Sequence, residues 1–235
     1  MFGRYDRCFS ITGPEIRVQI EERNQLPCYI RDCNADHLEK FLINDYDAIH
    51  IHPVEPVNLP AEITHFLEIS FPTIVLPPLS DKRIFLKFPV EIGVFFETHG
   101  KMHLLDIFSL APTKFSLYGS PSSGYITRWY RSDLYPEIPV TDMSREGVLE
   151  LSLINQCSST IEISRVVLNS HYMQIYYGDH VGMTGKMTIV SSIIAETTFV
   201  SISPSGCVNR SIDLYTARNF SVGQSKGFLM DAGMT

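Results

Sequence analysis

Arg83-Ile84-Phe85-Leu86-Lys87-Phe88-Pro89-Val90-Glu91-Ile92-Gly93-Val94-Phe95-Phe96-Glu97 is the stretch that decides the fold class of this chain. Every even position from Ile84 to Phe96 is apolar, while Arg83, Lys87, Glu91 and Glu97 fall on odd ones. Side chains alternate across a strand, so this register draws one hydrophobic stripe along one face of a long β ribbon. A helical period does not fit it. The ribbon is expected to turn at Thr98-His99-Gly100-Lys101, where glycine accepts a positive φ, and to return as a hairpin over residues 102–110.

Strand signals of the same kind spread in both directions. Ile16, Val18 and Ile20 alternate with Arg17, Gln19 and Glu21, and Ile63, His65, Leu67, Ile69 and Phe71 share one face. Residues 48–53, 114–118 and 124–131 read as further strands. Pro136, Pro139 and the polar run 141–147 then interrupt the pattern and mark a boundary. Beyond it come six short strands, over 148–154, 160–168, 171–177, 186–191, 196–203 and 208–215.

The expected architecture is all-β, built of antiparallel β-sandwich domains. Residues 1–140 form an N-terminal antiparallel domain, 146–215 a C-terminal sandwich and 216–235 a glycine-rich tail or strap. The C-terminal sandwich is immunoglobulin-like in its pattern, although it lacks the Cys and Trp markers of that fold. A single continuous β architecture is the alternative. One helix is expected, over residues 36–43, with Asp36 as cap and Glu39 at the third helical position.

Bulk properties exclude several function classes. Of the 235 residues 44% are hydrophobic and 19% charged, the profile of a globular chain able to bury a core without metal or disulfide staples. The net charge is −7 and the 19 Lys and Arg are scattered, so the basic stripe that nucleic acid requires is missing. No stretch approaches the roughly 20 apolar residues that cross a bilayer as a helix. The charged start, Met1 to Arg7, lacks a signal-peptide apolar region, and five irregularly spaced cysteines do not make a secreted disulfide framework. A cytoplasmic location is expected.

Three blocks carry a family resemblance: His52-Pro53-Val54-Glu55-Pro56-Val57-Asn58-Leu59-Pro60, Phe88-Pro89-Val90-Glu91-Ile92-Gly93-Val94-Phe95, and Asp106-Ile107-Phe108-Ser109-Leu110 followed by Lys114-Phe115-Ser116-Leu117-Tyr118-Gly119. Together they resemble an uncharacterised, mainly archaeal family, domain of unknown function 432. The resemblance covers most of the chain, most strongly between about residues 50 and 130. It implies an archaeal, intracellular origin and transfers no catalytic residue, ligand or site.

Candidate chemistry rests on a few residues. His50 and His52 lie two apart on a strand, so both imidazoles can face one metal ion, with Glu55 just beyond, as where cupin-like barrels begin a metal site. Pro53 interrupts that strand and no convincing fourth ligand follows; the plainer reading is exposed strand histidines, with no cofactor. Cys28 and Cys33 lack a second pair to complete a zinc site, and the plainer reading is small buried hydrophobes. Glu55, Glu91, Asp106 and Lys114 each sit in apolar or proline-rich surroundings. They form either a ligand or acid–base site or, more plainly, a structural cluster of ion pairs.

Arg128, Trp129 and Tyr130, with Tyr125, Arg131 and Tyr135, make an aromatic and arginine cluster suited to a protein interface or to stacking on sugars, against the duller reading of core packing. No Gly-x-Ser-x-Gly elbow or phosphate loop is present. The function expected is a non-enzymatic protein-interaction or assembly module, with a protein partner or self-association through sheet edges. The alternatives are a carbohydrate or small-ligand binder, and a cupin-like metal-dependent enzyme.

Overall fold

A computed structural model of the chain describes residues 1–6, 8–33, 36–43, 45–56 and 63–214, and the backbone of 227–230. Its strands are β1 (Gly3–Tyr5), β2 (Phe9–Thr12), β3 (Ile16–Arg23), β4 (Leu26–Cys33), β5 (Asp36–Phe41), β6 (Ala48–Val54), β7 (Phe66–Leu76), β8 (Ser80–Pro89), β9 (Glu91–Thr98) and β10 (Lys101–Phe108). Then follow β11 (Phe115–Tyr118), β12 (Tyr125–Arg131), β13 (Glu146–Asn155), β14 (Ile161–Asn169), β15 (Tyr176–Gly178), β16 (Val181–Ser191), β17 (Ile194–Val200), β18 (Cys207–Arg210) and β19 (Gly227–Met230). A 3₁₀ turn, Ser170–Tyr172, is capped by the Asn169 side chain, which accepts from the His171 N–H.

These strands form four sheets: β2-β3-β4-β5 (sheet I), β1-β6-β9-β10 (sheet II), β11-β12-β7-β14 (sheet III), and β18-β15-β16-β13-β8 extended by β17 and β19 (sheet IV). Sheets I and II close over one core, with Val18, Ile20 and Tyr29 meeting Ile49, Ile51, Ile92 and Val94. Sheets III and IV close over a larger one, where Leu67, Ile69 and Val166 meet Leu86, Phe88, Leu149, Leu151 and Met183. The all-β expectation holds, but the sheets are not uniformly antiparallel. β12 runs parallel to β7, and β13 parallel to β16.

The ribbon over 83–97 divides at Val90 into β8 and β9, which lie in different sheets. Ile84, Leu86, Phe88 and Val90 enter the larger core, and Ile92 and Val94 the smaller one. The hairpin expected at 98–101 is present. His99 and Gly100 both take positive φ, 50° and 74°, as the twist of a two-residue hairpin turn demands.

The helix expected over 36–43 is instead β5, paired antiparallel to β4 from Cys33↔Asp36 to Cys28↔Phe41. The capping signal was local. The ladder completes sheet I and seats Leu38 against the core, which outweighs it. The boundary expected near 140 falls between strands that share sheets, since β13 pairs with β8 along ten residues and β14 pairs with β7. Most of the expected tail lies outside the described residues; within it, β19 pairs with β17.

A fragment of residues 1–140 leaves β8 and β7 without those partners. Produced alone, it keeps sheets I and II but is expected to lose the larger core, so circular dichroism should show less strand per residue and a lower melting temperature than in the whole chain. A fragment that melts sharply with strand content intact would contradict this architecture.

Candidate functional site: buried polar clusters and an open edge

One face of sheet II carries His50, His52 and Val54 of β6 opposite Phe95, Gly93 and Glu91 of β9. Gly93 lets the chain pack closely here, because a Cβ at this position would fall 2.7 Å from the Phe95 ring and 2.8 Å from Val54 Cγ1. The two imidazoles do face the same way, with ring centroids 5.9 Å apart and planes within 12°. His50 Nε2 lies 2.9 Å from Glu97 Oε2. His52 is not an exposed strand histidine: it is 8% accessible and sits edge-on to Phe95 and Tyr177. Among the described residues its Nδ1 has no hydrogen-bond partner. Burial, with the neighbouring His50 charge adding, pushes its pKa down to about 4. Among the described residues, no group of three or more His, Cys, Asp and Glu is arranged to hold a metal.

The four charged residues singled out together divide into separate places. Glu55 and Glu91 are both buried, and the Glu55 carboxyl feels the charges of Asp213 and Glu91. Burial first, then Asp213 and Glu91, drives the Glu55 carboxyl well above its ordinary range against the opposing pull of backbone N–H groups. The Leu214 N–H lies 3.3 Å from each Glu55 oxygen, and the Ser211 hydroxyl donates to the Pro53 carbonyl, clamping residues 211–214 onto sheet II. Arg128 also belongs to this cluster. Its guanidinium is fully buried, and burial lowers its pKa while Glu91 raises it.

Asp106 lies elsewhere, between sheets II and I. It accepts 2.8 Å from the Tyr29 hydroxyl and 2.7 Å from Arg31 Nε, while Arg31 Nη1 also reaches Asp36 at 2.9 Å. Burial and the Asp106 charge push the Tyr29 phenol upward. Lys114 lies over the Trp129 ring, 5.6 Å from its centroid.

Arg128, Trp129 and Tyr130 are successive residues with three different tasks. Arg128 faces the interior, the Trp129 indole N–H donates to Ser70 Oγ at 2.9 Å, and the Tyr130 hydroxyl donates to Glu146. Glu146 also receives Lys87 at 2.9 Å, which ties β12, β8 and β13 together. A buried carboxylate that sequence reasoning missed, Glu68, accepts from Ser116 Oγ at 2.6 Å and Thr127 Oγ1 at 2.8 Å, with Arg165 Nη1 at 3.5 Å. Cys207 Sγ lies 3.5 Å from His180 Nε2, and burial, with Asp179 adding, pushes the thiol up to about 11, which favours its protonated form. Cys28 and Cys33, five positions apart on β4, point to opposite faces.

The surface feature that stands out lies at the rim of sheet III. β11 pairs with β12 on one side, and among the described residues no strand pairs with its other side. The Trp129 N–H donates to the Lys114 carbonyl, so alternate residues Ser116 and Tyr118 turn their backbone groups to β12. Phe115 and Leu117 therefore turn theirs outward. Their side chains are also exposed, 38% and 48%, and Ile126, opposite Leu117 on β12, is 49% exposed. The sequence signal was available, since Phe115-Ser116-Leu117-Tyr118 carries no charge.

Two substitutions test the buried groups. Asp106→Ala strips one partner from buried Arg31 but leaves Asp36, so unfolding in urea should lose about 3 kcal/mol, the lower end for a broken buried pair. His52 has a folded pKa below the 6.5 of an unfolded histidine, so the unfolded chain takes up the proton first as pH falls. Its contribution is complete above pH 6.5 and is lost toward pH 4, on the order of 3 kcal/mol. His52→Phe should flatten that part of the stability profile, measured by urea unfolding at successive pH values.

The family model described as "Protein of unknown function (DUF432)" matches residues 1–231. No curated protein and no solved structure matches the chain. With nearly its whole length matched, the chain belongs to that family of unknown function.

Proposed function

We propose that this chain is a non-enzymatic protein-interaction module that receives a partner's β strand along the open side of β11. The observation that carries the reading is the coincidence, at Phe115 and Leu117, of outward backbone groups with exposed apolar side chains. Strand addition draws affinity from main-chain hydrogen bonds and specificity from alternate side chains, and both are offered here.

Contrast with other edges supports the same reading. β5 carries Asp36, His37, Glu39 and Lys40, charges that discourage pairing. The outer side of β8 is occupied, because Phe85 exchanges both backbone hydrogen bonds with Tyr135, and the Lys87 N–H donates to Ser132 Oγ. On β10 the Leu105 carbonyl already accepts from Lys40 Nζ. β11 has no such guard among the described residues.

The carbohydrate reading has less support, because the Trp129 indole N–H is already engaged by Ser70 and its ring lies under Lys114. The metal reading has less support as well, because His50 is engaged by Glu97 and His52 by apolar rings.

Leu117→Pro removes an outward N–H together with the exposed leucine side chain and leaves the β12 ladder in place, since proline is tolerated on strand edges. A labelled, end-capped hexapeptide alternating Val and Ser should bind the wild-type chain saturably by fluorescence anisotropy. The variant should bind it about tenfold more weakly with an unchanged melting temperature. Equal binding to both, or to neither, would overturn the reading.

A further inference from the structure

We infer that the strand received by β11 is β11 of a second copy of this chain, paired antiparallel about a two-fold axis through Ser116. This rests on the edge-docking reading and names its occupant. A strand laid against the open side must offer outward backbone groups where Phe115 and Leu117 offer theirs. A two-fold through Ser116 sets Phe115 of one copy opposite Leu117 of the other, and Leu117 opposite Phe115. Both are then hydrogen-bonded pairs that exchange their N–H and C=O groups.

The faces match as well. Phe115 and Leu117 lie on the side of sheet III that carries Ile126, so the pairing sets apolar against apolar on that side. Ser116 meets Ser116 of the second copy on the side where its hydroxyl already donates to Glu68. No charged residue lies between Phe115 and Tyr118, so two chains of net charge −7 meet where neither presents charge. Lys114, just outside, comes opposite the uncharged Tyr118.

The contact is isologous. Each copy spends the same rim on the contact, so this pairing closes at two and the sheets join as β14-β7-β12-β11 continued by the same order reversed. Four backbone hydrogen bonds and two apolar pairs make a small contact, so a micromolar dimer is expected.

The test uses the whole chain. Sedimentation velocity up to on the order of 100 μM should show a monomer–dimer equilibrium, weakened about tenfold or more by Leu117→Pro. In an antiparallel non-hydrogen-bonded pair the Cα atoms stand about 4.5 Å apart, within disulfide reach. Ser116→Cys should therefore yield, under mild oxidation, a covalent dimer whose crosslinked peptide joins position 116 to position 116. A dimer unaffected by Leu117→Pro, or crosslinked from 116 only to native cysteines, overturns the two-fold pairing. A chain that stays monomeric while the Val-Ser hexapeptide still binds overturns the second copy as occupant and leaves strand docking standing. A monomer that binds no hexapeptide overturns both.

Discussion

Burial of the even-numbered stripe from Ile84 to Phe96 governs how this molecule is built. A ribbon of that length cannot keep one face on one core, because twist carries its far end away from any single facing sheet. The chain resolves this at Val90, itself fully buried, by leaving sheet IV and entering sheet II. The crossing is pinned where the Val90 N–H donates to the Arg145 carbonyl and Arg145 Nη1 donates 2.7 Å to the Leu110 carbonyl. One hydrophobic pattern therefore serves two sandwiches. Neither can loosen without pulling on the strand that feeds the other.

The second organising feature is how buried charge is accommodated. A carboxylate removed from water must be neutralised, paired or hydrogen-bonded, and each of these routes is used here. Asp106 is paired with Arg31, Glu68 is held by two hydroxyls, and Glu55, beside Glu91 and Asp213, is driven toward its neutral form. Their bonds join elements distant along the chain: Tyr29 and Asp106 are 77 residues apart, Pro53 and Ser211 158, while Glu68 joins strands within sheet III. The Glu55 and Asp106 contacts tie residues 211–214 and sheet I onto sheet II.

Much of the fold was legible because strand periodicity is local. Alternation marked β3, β7 and the ribbon of β8 and β9, and the glycine of Gly100 marked the hairpin turn. What periodicity does not encode is which strand lies beside which. It gave no sign that residues 83–97 change sheets, nor that β13 would seek β8 across the Pro136–Pro139 interruption. Asp36 and Glu39 imitated a helix cap because capping is read over four residues, whereas β5 is held by a partner. For the candidate site, residue type singled out Glu55, Glu91 and Asp106 as unusual, yet their partners depend on tertiary pairing. Arg128 looked like an interface anchor and is internal, because parity on β12 turns it toward Leu67 while its neighbour Trp129 turns away.

Trp129 is the only tryptophan in the chain, and Lys114, whose ammonium lies over its ring, immediately precedes β11. Indole emission responds to nearby charge and to water. Any event that shifts the start of β11 will move that cation and change the light the ring emits. The rim of sheet III thus carries a built-in optical gauge, readable in the unlabelled molecule.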